Sequence, residues 1–263
     1  MNGTFTGAGV GPGDPELMTF KAARAIRECD AVAIPVSDKR LTRPVFEAVR
    51  QERNDDSASE ACRAYLEKCV AYQIAAGAVP EIRMKDRLYL PMPMVKEKDR
   101  LKKIHDRDAD AVEELLESGK DVVFLTLGDP SVYSTCMYVH RRLKARGYRT
   151  GLIPGVPSFC AAAARLDIPL VENRQELHLL PASYEIEESL RLPGTKVLMK
   201  AGRKMADVKR ILKESGMQAA MVENCGMEKE QLFFSTEEIP EEAGYYSLLV
   251  VKEEKTEKGR TGA

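Results

Sequence analysis

The sequence VVFLTLGDPSVYST, residues 122–135, passes from an apolar run directly into a loop that contains Gly and Pro. The run Val122–Leu127 has the composition of a buried strand, and a helical pattern follows over Ser134–Arg146. A strand followed by a loop and a helix is the unit from which parallel sheets are built. The stretch therefore predicts an α/β fold with this loop at the carboxyl edge of the sheet, where open α/β folds bind ligands.

Similar units recur through the first 155 residues. Further strand candidates are 4–10, 31–35, 88–91 and 151–154, and further helical patterns are Pro15–Glu28 and Lys103–Ser118. Asp14 is a candidate N-cap for the helix over 15–28, with Pro15 at its first position. The segment Arg50–Val79 has a helical pattern after a polar start and predicts one long helix or a helix pair packed outside the sheet.

The pattern changes after Pro157, where strand candidates predominate. A small-residue helix over Ser158–Leu166 precedes five candidate strands, at 176–181, 196–200, 219–223, 231–235 and 245–251, with one clear helix over Ala206–Ser215. We therefore expect an N-terminal α/β domain (1–155), a C-terminal α+β domain (156–253) and a disordered charged tail (254–263).

Composition narrows the class of protein. The 263 residues carry a formal net charge of −1, which gives no indication of nucleic-acid binding. No apolar run approaches the ~20 residues of a membrane span, and no signal peptide is recognisable at the start. The six cysteines form no CxxC pair and the three histidines lie far apart, which favours reduced thiols in the cytoplasm and no metal site.

The stretch GVGPGDPEL, residues 9–17, is rich in glycine like a nucleotide-binding loop but lacks the motifs of one. The dinucleotide fingerprint GxGxxG fails in both registers, since Asp14 or Pro12 occupies its third glycine position. No Gly-Lys-Ser/Thr is present, and Asp14 places a negative charge where a phosphate would bind. A phosphate ligand is therefore disfavoured, which leaves a tight turn without a ligand or one wall of another binding cleft.

Two later stretches have a related character. In TLGDPSVYST (126–135), Gly128 allows close approach of backbone and Asp129 offers an acceptor for an amine or hydroxyl; in PGVPSFCAAAARL (154–166), small residues begin a helix. Each is also compatible with an ordinary turn or helix–sheet contact. The stretch SDKRLTRP (37–44) carries Lys39, Arg40 and Arg43, which suggests either an acidic substrate or solvated loop charges.

Taken together, GVGPGDPELMT, TLGDPSVYST and IPGVPSFCAAAARL, in this order and spacing, resemble the tetrapyrrole methylase family. Within this family, one branch methylates C20 of precorrin-2 or cobalt-factor II in cobalamin biosynthesis. The sequences of the second and third stretches are most similar to this branch, as are VLMKAGRK (197–204) and ENCGMEKEQ (223–231). The resemblance covers nearly the whole chain and departs from the branch at Arg50–Val79.

The resemblance implies two α/β domains, a homodimer, and S-adenosylmethionine as methyl donor folded between the domains. Carried over by position, the donor-binding residues would be Pro12, Leu127, Gly128, Asp129, Val132, Ser158, Phe159, Lys200 and Cys225. The many carboxylates of a tetrapyrrole suggest a substrate-binding role for Lys39, Arg40 and Arg43. Any cobalt would arrive within the substrate, so no protein metal ligands are expected.

The chemistry implied is alignment of C20 with the sulfonium methyl group and exclusion of water. A base must take the C20 proton, and Tyr133 is a candidate by location alone. Three alternatives remain open: methylation at another corrin position, methylation of a protein histidine as in diphthine synthesis, and a tetrapyrrole-binding protein without catalysis.

Overall fold

The computed structural model describes residues 1–49, 60–95, 97–181 and 186–252. The chain divides into two compact units, Met1–Pro157 and a second unit that begins at Ser158. Each unit contains one sheet, and each is described separately below.

The first unit consists of a six-stranded sheet and its helices. Its strands are β1 (Phe5–Gly9), β2 (Ala31–Val36), β3 (Val45–Glu47), β4 (Asp86–Pro91), β5 (Val122–Thr126) and β6 (Thr150–Ile153). Its α-helices are α1 (Phe20–Glu28), α2 (Glu60–Lys68), α3 (Val70–Ala78), α4 (Lys98–Glu117) and α5 (Cys136–Ala145). The strand order is β3-β4-β2-β5-β1-β6, and within the described residues every pairing is parallel except that of the edge strand β3 with β4.

Side chains alternate across this sheet and form two cores. On one face, Val32 and Ile34 pack with α1, α2 and α3; on the other, Phe5 and Phe124 pack with α4 and α5. Burial on both faces explains why these strands are continuous apolar runs. The predicted parallel sheet with helices on both faces is confirmed.

The strand register places the carboxyl ends of five strands at one edge. Gly9 lies opposite Thr126, Ala8 opposite Ile153, and Val36 opposite Pro91. The loops that follow β1, β2 and β5 therefore begin at the same edge, as the parallel arrangement predicts.

The predicted helix over Pro15–Glu28 is interrupted. A short 3-10 helix occupies Pro15–Leu17, and α1 begins only at Phe20 because Met18 and Thr19 have extended backbone angles. Asp14 caps the 3-10 helix by accepting a hydrogen bond from Glu16 N at 2.8 Å. Thr19 caps α1 in the same way through Ala22 N at 3.2 Å.

The segment predicted as one helix or a pair is a pair over the residues that the structure describes. Cys69 separates α2 from α3 with φ −85° and ψ 95°, and a 3-10 helix over Pro80–Met84 leads to β4. Tyr65, Tyr72 and Ile74 from the pair lie in the core on the α1 face of the sheet. Residues 50–59 of the predicted segment lie outside the described residues.

The second unit has a mixed five-stranded sheet of order β10-β9-β11-β8-β7. Its elements are α6 (Ser158–Arg165), β7 (Leu177–Pro181), α7 (Ile186–Leu190), β8 (Thr195–Met199), α8 (Met205–Glu214), β9 (Gln218–Glu223), β10 (Gln231–Phe233) and β11 (Ser247–Lys252). Among the described strands of this unit, β7 and β8 pair in parallel and the other pairings are antiparallel. The α+β character expected for this half is confirmed; the tail predicted over 254–263 lies outside the described residues.

Candidate active site

Three glycines meet at the carboxyl edge of the first sheet: the last residue of β1 and one residue from each of the loops after β5 and β6. A Cβ atom at Gly155 would lie 2.2 Å from the carbonyl oxygen of Gly128, and one at Gly9 would lie 2.5 Å from the same oxygen and from Gly155 N. Only residues without a side chain can pack this closely, because real Cβ contacts stay beyond 3.0 Å. We call Gly9, Gly128 and Gly155 the glycine junction; its close approach is between backbone segments.

Hydrogen bonds join the loops at this junction. Gly128 N donates to Gly11 O at 2.8 Å, which forms an isolated antiparallel bridge between the loop after β1 and the loop after β5. Gly11 has φ +86°, a conformation that favours glycine. The loop after β1 is therefore held against the loop after β5 by a hydrogen bond between backbone groups.

Asp129 connects the loop after β5 to the loop after β6. One carboxylate oxygen accepts from Gly155 N at 3.1 Å, and the other accepts from Ser131 N at 2.8 Å and from the Ser131 hydroxyl. Asp129 thus aligns two loops and turns its own loop tightly. Since carboxylate oxygens have about four acceptor sites in total, it retains capacity for a further donor.

Tyr133 lies in the same loop with a strained backbone. Its φ is +47°, which is uncommon for a residue with a bulky side chain and costs about 1–2 kcal/mol. The loop is fastened directly after it, since the Ser134 hydroxyl lies 3.1 Å from the Thr126 hydroxyl and accepts from Cys136 N. Tyr133 is 51% exposed, so the strained backbone conformation holds the aromatic ring towards solvent.

The other donor-binding candidates of the first unit lie near the junction in sequence and space. Pro12 is buried directly after Gly11, and the Leu127 and Val132 side chains are half-buried. The structure therefore brings Pro12, Leu127, Gly128, Asp129 and Val132 together in two hydrogen-bonded loops.

The basic candidates follow β2 at this edge. Arg40 binds Asp38 through two nitrogens of its guanidinium group, with Nη2 2.8 Å from Oδ2 and Nε 3.1 Å from Oδ1. These hydrogen bonds hold the pKa of Asp38 well below its usual range. Lys39 and Arg43 are exposed. Asp38 was missed by the sequence reasoning, although an acidic residue two positions before an arginine is a usable signal for such a pair.

In the second unit, Lys200 and Cys225 follow β8 and β9. Both strands run antiparallel to β11, so their carboxyl ends share one edge of the sheet. Lys200 is exposed and has φ +62°, and Asn224 beside Cys225 has φ +52°. One candidate, Lys200, and the residue directly before the other, Asn224, therefore have left-handed backbone conformations at this edge.

Cys225 is buried and belongs to a cluster with Glu230 and Arg165 that sequence reasoning missed. Burial raises the pKa of its thiol to about 11, helped by the neighbouring Glu230 carboxylate. Glu230 accepts from Arg165 Nε and from Gly226 N, both at 2.8 Å. The thiol is therefore uncharged at neutral pH, and the cluster fixes the turn after β9 against α6.

Ser158 and Phe159 are the first two residues of α6 and are both half-buried. The buried side chains of this helix are Ala161, Ala162 and Ala163, and the helix packs against β9 and β11 of its own unit, which is the ordinary helix–sheet contact that the sequence had left open.

The fold and these motifs define the class of protein. The sequence profile of the tetrapyrrole (corrin/porphyrin) methylases matches residues 4–240, so the chain belongs to this family and is a methyltransferase. Among its relatives, it is 33% identical to a probable cobalt-precorrin-2 C(20)-methyltransferase from Methanocaldococcus jannaschii over 74% of this chain and 70% of that protein. It is 30% identical to a precorrin-2 C(20)-methyltransferase from a Sinorhizobium species over 95% of both chains.

Solved structures share the fold. Cobalt precorrin-4 methyltransferase, CbiF, superposes with a TM-score of 0.65 at 16% identity over 95% of this chain and 94% of its own. The uroporphyrin-III C-methyl transferase from Thermus thermophilus, solved with S-adenosyl homocysteine, gives a TM-score of 0.62 at 20% identity over 95% of this chain and 98% of its own.

Two features are absent from the described residues. Within residues 1–49, 60–95, 97–181 and 186–252, no helix combines the length and apolar character needed to cross a bilayer. The same described ranges contain no cluster of three or more His, Cys, Asp or Glu side chains arranged to hold a metal ion.

Proposed function

We propose that the protein transfers a methyl group from S-adenosylmethionine to C20 of precorrin-2 or its cobalt form, cobalt-factor II, in cobalamin biosynthesis. The observation that carries the proposal is identity of 30–33% to two C20-methyltransferases over most of both chains. The glycine junction and the loops that it holds supply a rigid site for this reaction at the carboxyl edge of the sheet.

The methyl donor supplies a positively charged sulfonium whose methyl group is already electrophilic. The protein's task is to align the acceptor carbon, the methyl carbon and the sulfur, and to exclude water. Alignment of this kind can provide about 7–11 kcal/mol of barrier reduction. A junction fixed by backbone hydrogen bonds and close glycine contacts is suited to the task, because little rearrangement remains possible within it.

The residues around the junction fit the donor. Leu127 and Val132 offer half-buried apolar surface, and Asp129 has acceptor capacity beyond the bonds it makes to Gly155 and Ser131. We infer that these residues, with Pro12 and Gly128, contact the donor. The corresponding assignments of Ser158, Phe159, Lys200 and Cys225 rest on the resemblance in sequence.

We propose that Tyr133 is the base that accepts the proton from C20. The support is its exposed ring on a strained backbone within the loop that carries Asp129 and Val132. A Tyr133→Phe variant keeps the ring and removes the hydroxyl. We expect a lower kcat with unchanged KM for S-adenosylmethionine; an unchanged kcat would remove Tyr133 from the mechanism.

Lys39, Arg40 and Arg43 are proposed to bind carboxylates of the tetrapyrrole. The support is their position after β2, at the edge where the glycine junction lies. Because Arg40 already binds Asp38, Lys39 and Arg43 should contribute most. Neutralising all three should raise KM for the tetrapyrrole and leave binding of S-adenosylmethionine unchanged; an unchanged KM would contradict the role.

The reaction is tested by product analysis. The protein is incubated with S-adenosylmethionine and either precorrin-2 or cobalt-factor II, and the product is examined by mass spectrometry and NMR. A gain of one methyl group at C20 is expected, and the comparison of the two acceptors identifies the preferred one. A methyl group at another carbon, a methylated protein histidine, or binding without a mass change would each replace the proposed function by one of the alternatives.

The assembly and location are also proposals. We propose a homodimer on the basis of the family resemblance, tested by light scattering coupled to gel filtration. We propose a cytoplasmic location because none of the six cysteines, which all lie in the described part of the chain, forms a disulfide, as is usual in a reducing compartment. Fractionation of cells that express the tagged full-length protein tests this.

A further inference from the structure

A cavity of about 260 Å³ lies beside the carboxyl end of β2, in the first unit. Its walls are residues 35–38 on one side and Tyr65, Lys68 and Cys69 on the other. Pockets for whole drug-sized ligands usually measure ~300–1,000 Å³. The cavity therefore suits a substituent of a ligand better than an entire macrocycle.

Much of the wall is apolar or uncharged. Val36 and Tyr65 are buried core residues. Cys69 joins α2 to α3, and burial raises the pKa of its thiol to about 11, so the thiol is neutral at physiological pH. A ligand group that enters the cavity thus lies against a wall that is mostly uncharged.

The charge is concentrated on three side chains. Asp38 Oδ2 lies 2.8 Å from Arg40 Nη2 and 3.8 Å from Lys68 Nζ. One carboxylate between two cations leaves a net charge of +1 on the cluster. The Arg40 contact uses two guanidinium nitrogens, whereas the Lys68 contact is long and lacks hydrogen-bond distance.

Lys68 is therefore the cation that can bind the carboxylate of a ligand in addition to that of Asp38. Its side chain is 67% exposed, against 18% for Asp38, and rearranging an exposed ion pair costs about 0–1 kcal/mol. Asp38 holds the guanidinium of Arg40 in place and attracts the ammonium group of Lys68 towards the cavity.

We propose that this cavity binds one carboxylate-bearing side chain of the tetrapyrrole, with Lys68 as its counter-ion and Asp38 as the residue that positions the cations. The proposal rests on the proposed function and deepens it. It gives a role in acceptor binding to α2 and α3, the segment in which the sequence departs from the branch that it resembles.

The test is a charge series at Lys68. KM for the tetrapyrrole should stay within twofold in Lys68→Arg, rise about fivefold in Lys68→Met and rise further in Lys68→Glu, as expected for a partly exposed charge pair. KM for S-adenosylmethionine should not change in any of them. Lys144→Met, which removes an exposed lysine at the end of α5, is the matched control and should resemble the wild type.

Ionic strength provides a second measurement. Salt screens exposed charges, so added salt should raise the tetrapyrrole KM of the wild type more than that of Lys68→Met. Equal tetrapyrrole KM values across the series, or a change confined to S-adenosylmethionine, would overturn the proposal.

Failure of the proposed function is recognised separately. It would show as no C20-methylated product from the wild-type protein. The cavity is then tested by absorbance titration of the tetrapyrrole alone into wild type, Lys68→Arg, Lys68→Met and Lys68→Glu. The same order of affinities supports the cavity as a carboxylate site, and equal affinities overturn it.

Discussion

The glycine junction and the basic loop after β2 lie at the same edge of one sheet but are stabilised in opposite ways. At the junction, Gly9, Gly128 and Gly155 pack backbone against backbone, and Asp129 adds hydrogen bonds to peptide groups. The basic loop depends on long side chains, with Arg40 70% exposed in its pair with Asp38. The junction is rigid and sensitive to volume, whereas the basic loop tolerates change in volume and responds to charge, pH and salt.

Adding a methyl group to the junction should have the largest effect. In Gly155→Ala, the new Cβ would lie 2.2 Å from Gly128 O, so backbone must shift. We expect a loss of about 3 kcal/mol in the free energy of unfolding, together with loss of methyl transfer. Urea denaturation and turnover measure the two effects.

Gly151→Ala is the matched control, because its nearest neighbour would be Thr6 Oγ1 at 3.9 Å. It should retain wild-type stability to within about 1 kcal/mol. If both variants were equally stable, the tight packing inferred for the junction would be wrong.

Removing Asp129 should have the next largest effect. Asp129→Ala leaves Gly155 N and Ser131 N without their acceptor, and we expect a loss of about 1–3 kcal/mol in the free energy of unfolding. Ser131→Ala removes only the hydroxyl contact and should cost less than half as much. Equal losses in the two variants would assign the stabilisation to Ser131 rather than to the link between loops.

The strain at Tyr133 can be measured by comparing two substitutions. Both remove the ring, but Tyr133→Gly adopts φ +47° without steric cost and Tyr133→Ala does not. The glycine variant should therefore be more stable than the alanine variant by about 1 kcal/mol, as measured by chemical denaturation. An alanine variant of equal or greater stability would show that this position is unstrained.

The smallest effect concerns the basic loop and depends on pH. Arg40 lowers the pKa of Asp38 in the folded protein, so the ionised carboxylate favours folding. Its contribution is complete above the ordinary aspartate pKa of about 3.9 and is lost as pH falls towards the lower folded value. The stability advantage of wild type over Asp38→Asn should therefore shrink between pH 5 and pH 2.

Gly155→Ala provides the comparison for this measurement. Its loss of stability arises from packing and should not follow the titration of Asp38 over the same range. If the difference in stability between wild type and Asp38→Asn stayed constant with pH, the ion pair between Asp38 and Arg40 would not contribute to folding.

Local patterns in the sequence were sufficient to predict most of the strands and helices of the fold. Continuous apolar runs predicted the parallel strands, since burial on both faces removes polar residues. The edge strand β3 could not be found in this way, because Val45–Glu47 is short, partly exposed and paired by a contact with distant β4. The interruption at Met18–Thr19 was missed since Asp14 and Pro15 begin a 3-10 helix as readily as an α-helix.

The sequence by itself determined the family, the parallel sheet and the loops that carry the site, because strand–loop–helix periodicity and motif spacing are local properties. Only the tertiary structure decided what those loops touch. It showed that the glycines of three motifs make room for one another, that Asp129 binds Gly155, and that Arg40 and Lys68 share Asp38. These contacts join residues far apart in the chain, and their distances follow from how the sheet brings the strand ends together.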